Sequence, residues 1–212
     1  MLKFDRRSSL IAGALAAAAL MLGACNGGGE GGGAQAAAAG EMSMGRADAP
    51  VTVVEYASVT CPHCAVWHTE VYPEFKRRFV DTGQVRYVFR EFPTAPANIA
   101  VAGFLMARCA GDDRYFAMLD AMMRNQQAMI ANPREELLNI ARTAGMTEEQ
   151  FDACVTDQEA ANALDARVQE GVAAGVTGTP TFLVNGERLD GAPTIEALEA
   201  AITAARGGQA AG

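Results

Sequence analysis

Cys61-Pro62-His63-Cys64 constrains this chain more than any other feature. It follows an apolar run, Val51-Thr52-Val53-Val54-Glu55-Tyr56, and opens a segment with helical periodicity. Two thiols three residues apart at a strand-to-helix junction can close into a small disulfide. Unpaired backbone N–H groups at a helix start create positive potential, which favours a thiolate at the first cysteine. The spacing therefore points to thiol–disulfide exchange, with Cys61 as the exposed, thiolate-prone sulfur and Cys64, a turn further in, as its partner. Pro62 suits the first helical turn, where its missing N–H costs nothing. His63 can hold positive charge or donate a hydrogen bond to the Cys61 sulfur and lower its pKa.

The surrounding pattern is mixed. Val51–Ala57 reads as a strand with apolar residues on both faces, as in a central strand. Pro62 to about Val80 reads as a helix kinked by Pro73, with Cys64, His68, Val71, Phe75 and Phe79 near one stripe. Val85, Tyr87 and Phe89 alternate in a second strand. Strand–helix–strand order predicts a parallel pair with a right-handed crossover. From Pro96 to Ala174 the periodicity is helical throughout, with Asn132-Pro133 as one helix start and Thr147-Glu148-Glu149-Gln150 as a capping box. Strand character returns at Thr181–Val184. Asn185-Gly186 then signals a hairpin, Glu187–Leu189 a return strand, and Pro193 to Ala205 a closing amphipathic helix. The fold class is α/β.

The N-terminal residues read as an export signal. Lys3, Arg6 and Arg7 precede an apolar run from Leu10 to Leu22, too short for the roughly 20 residues of a membrane span. Leu22-Gly23-Ala24-Cys25 resembles a bacterial lipobox, making Cys25 the candidate for lipidation; a plain cleaved signal is the alternative. Asp5-Arg6-Arg7-Ser8-Ser9-Leu10 also resembles a twin-arginine signal. Residues 26–44 follow as a Gly- and Ala-rich tether, of the kind a lipid-anchored domain needs. Net charge is −8; Lys3, Arg6 and Arg7 against Asp5 give residues 1–24 a net +2, which leaves −10 for the rest. A surface so acidic repels phosphate backbones, so nucleic acid is not an expected partner.

Five cysteines divide into Cys25, the Cys61–Cys64 pair, and Cys109 with Cys154. An oxidising compartment favours a Cys109–Cys154 bridge; two separately buried thiols is the alternative. Zinc fits poorly, because His63 and His68 are the only histidines and no second Cys-x-x-Cys exists. Met118, Met122 and Met123 sit at helical spacing and read as packing rather than copper ligands. No metal or other cofactor is expected. Arg90 beside Glu91 is either the counter-charge for a buried Glu55 or a solvated pair.

The order of elements resembles the thioredoxin fold. The helical insertion, Cys61-Pro62-His63-Cys64 and the segment Gly175–Gly186 with Thr179-Pro180 at its centre resemble the DsbA family of exported thiol oxidases. The resemblance covers roughly residues 41 to 205. It implies a thioredoxin-like domain over 45–95 and 175–206 and an inserted all-helical module over 96–174; residues 207–212 read from the sequence as a disordered tail. It implies a cis peptide before Pro180, facing the active-site pair and presenting the backbone of Thr179 to an extended substrate segment, and a buried acid at Glu55, read either as a proton-transfer group near Cys64 or as an ordinary buried or edge-strand acid. It further implies a periplasmic dithiol oxidase acting on reduced, cysteine-containing exported proteins and reoxidised by a DsbB-type, quinone-linked membrane partner. Thr179 departs from the valine of the family's classical oxidase and occurs in isomerases, so isomerase or reductase activity stays open, as does a non-catalytic thiol module that handles metal. Only a low-complexity segment precedes the fold, which argues for a monomer rather than a DsbC-type dimer.

Overall fold

The computed structural model describes residues 40–209. The signal segment, Cys25 and most of the tether lie outside the described residues. Element order is β1 (Met42–Met44), β2 (Val51–Ala57), α1 (Pro62–Glu70), α2 (Tyr72–Phe75, continuing as a π-helical stretch over Lys76–Val80) and β3 (Val85–Glu91). Six helices follow: α3 (Ala97–Cys109), α4 (Asp112–Arg124), α5 (Gln126–Ala131), α6 (Pro133–Thr143), α7 (Glu148–Val155) and α8 (Gln158–Ala173). The chain then makes β4 (Thr181–Val184), β5 (Glu187–Arg188) and α9 (Ile195–Gln209).

The sheet runs β1-β3-β2-β4-β5. β2 and β3 are parallel and every other pair is antiparallel. Val51, Val53, Tyr56 and Ala57 of β2 are essentially sealed from solvent, as a central strand requires. The helix after Cys61 breaks at Val71 because Pro73 offers no N–H and crowds the preceding turn. Asn185 (φ 48°) and Gly186 (φ 88°) supply the left-handed turn between β4 and β5. Asn185 also reaches across: its Oδ1 accepts from the Thr52 N–H at 2.8 Å, and its own N–H donates to the Thr52 carbonyl.

Three expectations change. β1 falls inside the segment assigned to the tether: Met42 and Met44 pair with Phe89 and Tyr87, and Glu41 grips Arg90 at 2.8 Å. Three residues are too few for alternation to register in composition. At the other end, α9 continues through Gly207 and Gly208, where a frayed tail was expected; a Cβ on either would meet nothing within 4 Å, so close packing does not explain them. Glu91 is neither solvated nor paired with Arg90. It is buried, held by Arg108 and Arg167 and by the Tyr115 hydroxyl, whereas Arg90 binds Glu41 and the Tyr56 hydroxyl. Glu55 thus draws no counter-charge from either residue.

The helices between β3 and β4 pack on one another, and α8 packs on β3 of the sheet. Cys109 at the end of α3 is joined by a disulfide to Cys154 of α7, with Cα atoms 5.9 Å apart. Closing a loop of 45 residues removes about 4 kcal/mol of denatured-state entropy. Thr147 and Gln150 complete the capping box of α7, each side chain taking the other's backbone N–H. Asn132 precedes α6 without a side-chain cap, leaving Pro133 as the start signal.

Candidate active site

Cys61 is the N-cap of α1 and Pro62 its first residue. Extended backbone at Cys61 (φ −81°, ψ 120°) turns the chain from β2 into the helix, and its carbonyl accepts the first helical bond from Ala65 N–H. The turn that delivers it is braced internally. Ser58 and Thr60 are buried, their hydroxyls lie 2.9 Å apart, and Ser58 Oγ accepts from the Thr94 N–H while Thr60 Oγ1 donates to the Thr94 carbonyl. From the far side, Nε2 of Gln126 donates to the carbonyls of Val59 (2.8 Å) and Cys61 (3.0 Å).

Cys61 and Cys64 are both reduced. Cys61 is less accessible than its position suggested, 7% exposed against 0% for Cys64. It is covered by the segment before β4, where the Thr179 carbonyl lies 3.3 Å from its sulfur across a cis Thr179–Pro180 peptide. The Cys61 thiol is driven down to about 5, first by the hydrogen bond from the Cys64 S–H, then by the Thr179 hydroxyl and by the backbone N–H groups of Cys64 and His63; burial opposes this. Cys64 moves the other way, its thiol pushed far up by burial and by the hydrogen bond to Cys61. The two sulfurs share one proton, and Cys64 holds it. Thr179 Oγ1 is buried with no hydrogen-bond partner of good geometry, leaving the Cys61 sulfur as the acceptor within reach.

His63 departs from expectation in one respect. Its ring is exposed and makes no hydrogen bond to Cys61 among the described residues; the backbone N–H is what acts on the sulfur. His68 is structural: buried, its Nε2 lies 3.1 Å from Asp120 of α4, and its ring stacks on Tyr72 with centroids 4.5 Å apart. Burial holds its imidazole below the usual pKa. Trp67 packs against Phe182 of β4 and donates to the Pro193 carbonyl at 2.8 Å, locking α1 to the loop before α9.

Glu55 lies on β2 directly opposite Phe89 of β3 and Phe182 of β4, 1% exposed. Its Oε2 accepts a short hydrogen bond from the Tyr87 hydroxyl. Burial pushes its carboxyl up to about 8, partly opposed by that hydrogen bond. At neutral pH it is mostly protonated, and it interacts electrostatically with both cysteines. The structure therefore gathers Cys61, Cys64, Pro62, His63, Thr179, Pro180 and Glu55 around one turn. Tyr87 and Gln126 were not anticipated. Tyr87 carried only the alternation of a strand, and its link to Glu55 depends on the β2–β3 register. Gln126 carried no signal at all.

No group of three or more His, Cys, Asp or Glu side chains converges as a metal site among the described residues. No helix among them is long and apolar enough to cross a membrane.

A thioredoxin family model matches residues 37–204. A Rickettsia bellii protein named "Putative protein-disulfide oxidoreductase" is 34% identical over 166 residues, covering 76% of this chain; the chain spans 63% of that relative's length. Among solved structures, alpha-DsbA1 of Wolbachia pipientis superposes with a TM-score of 0.75 at 22% identity, covering 82% of this chain and 95% of that one. A protein-disulfide isomerase of Novosphingobium aromaticivorans superposes with a TM-score of 0.67 at 26% identity, covering 78% and 96%.

Proposed function

The chain belongs to the thioredoxin family, and on that premise we propose that it is an extracytoplasmic dithiol oxidase that donates a Cys61–Cys64 disulfide to reduced exported proteins. One observation carries this reading: the Cys61 sulfur sits at the start of α1, where the Cys64 thiol and two backbone N–H groups stabilise it as an anion. A thiol that ionises readily is a good leaving group and a poor holder of a disulfide.

The cycle balances. A substrate thiolate attacks Cys61 Sγ in the oxidised pair, the Cys61–Cys64 bond breaks, and a mixed disulfide forms. Cys64 leaves carrying the electron pair and takes a proton, which Glu55 supplies in its neutral form and regains from solvent. A second substrate thiolate attacks the substrate-side sulfur, and Cys61 leaves as the stabilised thiolate. The substrate is oxidised by two electrons and the protein dithiol is reduced by two. Pro180 contributes no N–H, so the backbone of Thr179 is free to pair with an extended substrate segment beside Cys61.

The same reading supplies the setting. A DsbB-type, quinone-linked membrane partner restores the disulfide, the protein works in the periplasm as a monomer, and lipid on Cys25 tethers it through the residues before β1. The fold divides into a thioredoxin-like domain and the helical module between β3 and β4. Isomerase or reductase action with the same two sulfurs is the competing reading, since Thr179 precedes Pro180. Equilibration against glutathione decides between them: an oxidase lies near the roughly −120 mV of DsbA, and a value near the about −270 mV of thioredoxin removes the oxidase reading.

A further inference from the structure

We propose that Gln126 is a positioning residue for the redox pair: through one side-chain amide the helical module holds the turn that aims the Cys61 sulfur at the N–H groups of α1. The inference rests on the reading of Cys61 as the reactive thiolate.

The geometry is specific. Nε2 of Gln126 has two hydrogens, and the carbonyls of Val59 and Cys61 take both, at 2.8 and 3.0 Å. Gln126 is buried, and Val59 is fully so. A buried carbonyl that loses its donor costs free energy, so this contact is not interchangeable with water at the surface. The two acceptors flank Thr60, whose own side chain is tied to the Thr94 loop on the opposite side. The turn is therefore gripped from both sides, once within the sheet's own loop and once from α5.

Local structure explains how Gln126 arrives there. α4 ends at Arg124, and Asn125 (φ −104°, ψ 20°) leaves helical geometry before α5 restarts at Gln126. That break turns the side chain of Gln126 inward, while Gln127 stays exposed. α4 is itself fixed to α1 through Asp120 and His68. The Cys61 carbonyl also accepts the first helical bond of α1 from Ala65. Gln126 thus holds the peptide unit from which α1 departs, and with it the direction of the His63 and Cys64 N–H groups relative to the sulfur.

The test is the pH dependence of iodoacetamide labelling of Cys61 in the reduced full chain. The probes are Gln126→Met, of matched length without donors, and Gln127→Leu as an exposed neighbour. Gln126→Met should move the labelling midpoint up by about one pH unit, the differential loss when an N–H donor of α1 loses its alignment on the anion, and Gln127→Leu should leave it in place. A folded Gln126→Met variant with a lowered thermal midpoint and an unmoved labelling curve overturns the proposal and leaves Gln126 a structural residue. If that variant does not fold, the native protein decides: the Gln126 side-chain amide protons should exchange slowly with solvent by NMR, and rapid exchange overturns the clamp. A native labelling midpoint near that of an ordinary thiol would instead overturn the reading of Cys61, a result separate from either of these.

Discussion

The chain carries two cysteine pairs, and their helix positions are opposite. Cys61 stands at the N-terminus of α1, with backbone N–H groups directed at its sulfur. Cys109 is the last residue of α3 and Cys154 the last but one of α7, both at helix C-termini, where the dipole disfavours an anion. The first pair is spaced to shuttle electrons and is present as thiols; the second closes a 45-residue loop and is present as a disulfide. Sulfur chemistry is the same in both. What differs is the cost of a thiolate: at Cys61 the Cys64 S–H, then the Thr179 hydroxyl and the backbone N–H groups of the helix start, lower it, and a sulfur that leaves easily as an anion gives its disulfide away readily.

The largest effect that could break this contrast is on activity. Cys61→Ala should reduce oxidation of a reduced model substrate to the uncatalysed background, while the double substitution Cys109→Ala with Cys154→Ala should leave the rate near that of the native chain; equal losses in both would remove the division of labour. Stability should show the reverse. Urea unfolding of the same double variant should lose about 4 kcal/mol, whereas reduction of Cys61–Cys64 should stabilise the chain.

A pH series sharpens the comparison further. Because the folded state holds Cys61 near 5 rather than 9.0, the anion's contribution is fully present above pH 9 and is lost as pH falls through 5. The stability of the reduced form relative to the oxidised form should therefore fall by roughly 2 kcal/mol between pH 7 and pH 5. Glu55 has the opposite sign: raised to about 8, it favours the folded state at low pH and loses that contribution as pH rises through 8. It is present in both redox forms, so it largely cancels in the difference. A flat difference would contradict the low Cys61 value. The smallest effect concerns the proton. Glu55→Gln cannot supply Cys64, and substrate oxidation at pH 7 should slow by about tenfold, with loss of the limb near pH 8. Unchanged rates across pH would relieve Glu55 of that task.

Legibility followed the range of each interaction. The strand before Cys61, the break near Pro73, the capping box at Thr147 and the Asn185-Gly186 turn are each fixed by a few adjacent residues, and each appears where the sequence pattern placed it. β1 was missed because three residues hold too little pattern, and its edge position depends on Phe89 and Tyr87 far along the chain. Arg90 and Glu91, adjacent in sequence, point to different partners because neighbouring strand residues face opposite sides of a sheet.

By itself the sequence determined where two sulfurs meet a helix start, and hence which cysteine tends to ionise, because helix potential and spacing are local properties. Only the tertiary structure decided what surrounds that sulfur. The Thr179 carbonyl comes from 118 residues away and the Gln126 amide from 65, and Tyr87 reaches Glu55 only through strand register. Hydrogen bonds act over about 3 Å, and no spacing along a chain says which distant groups will come that close.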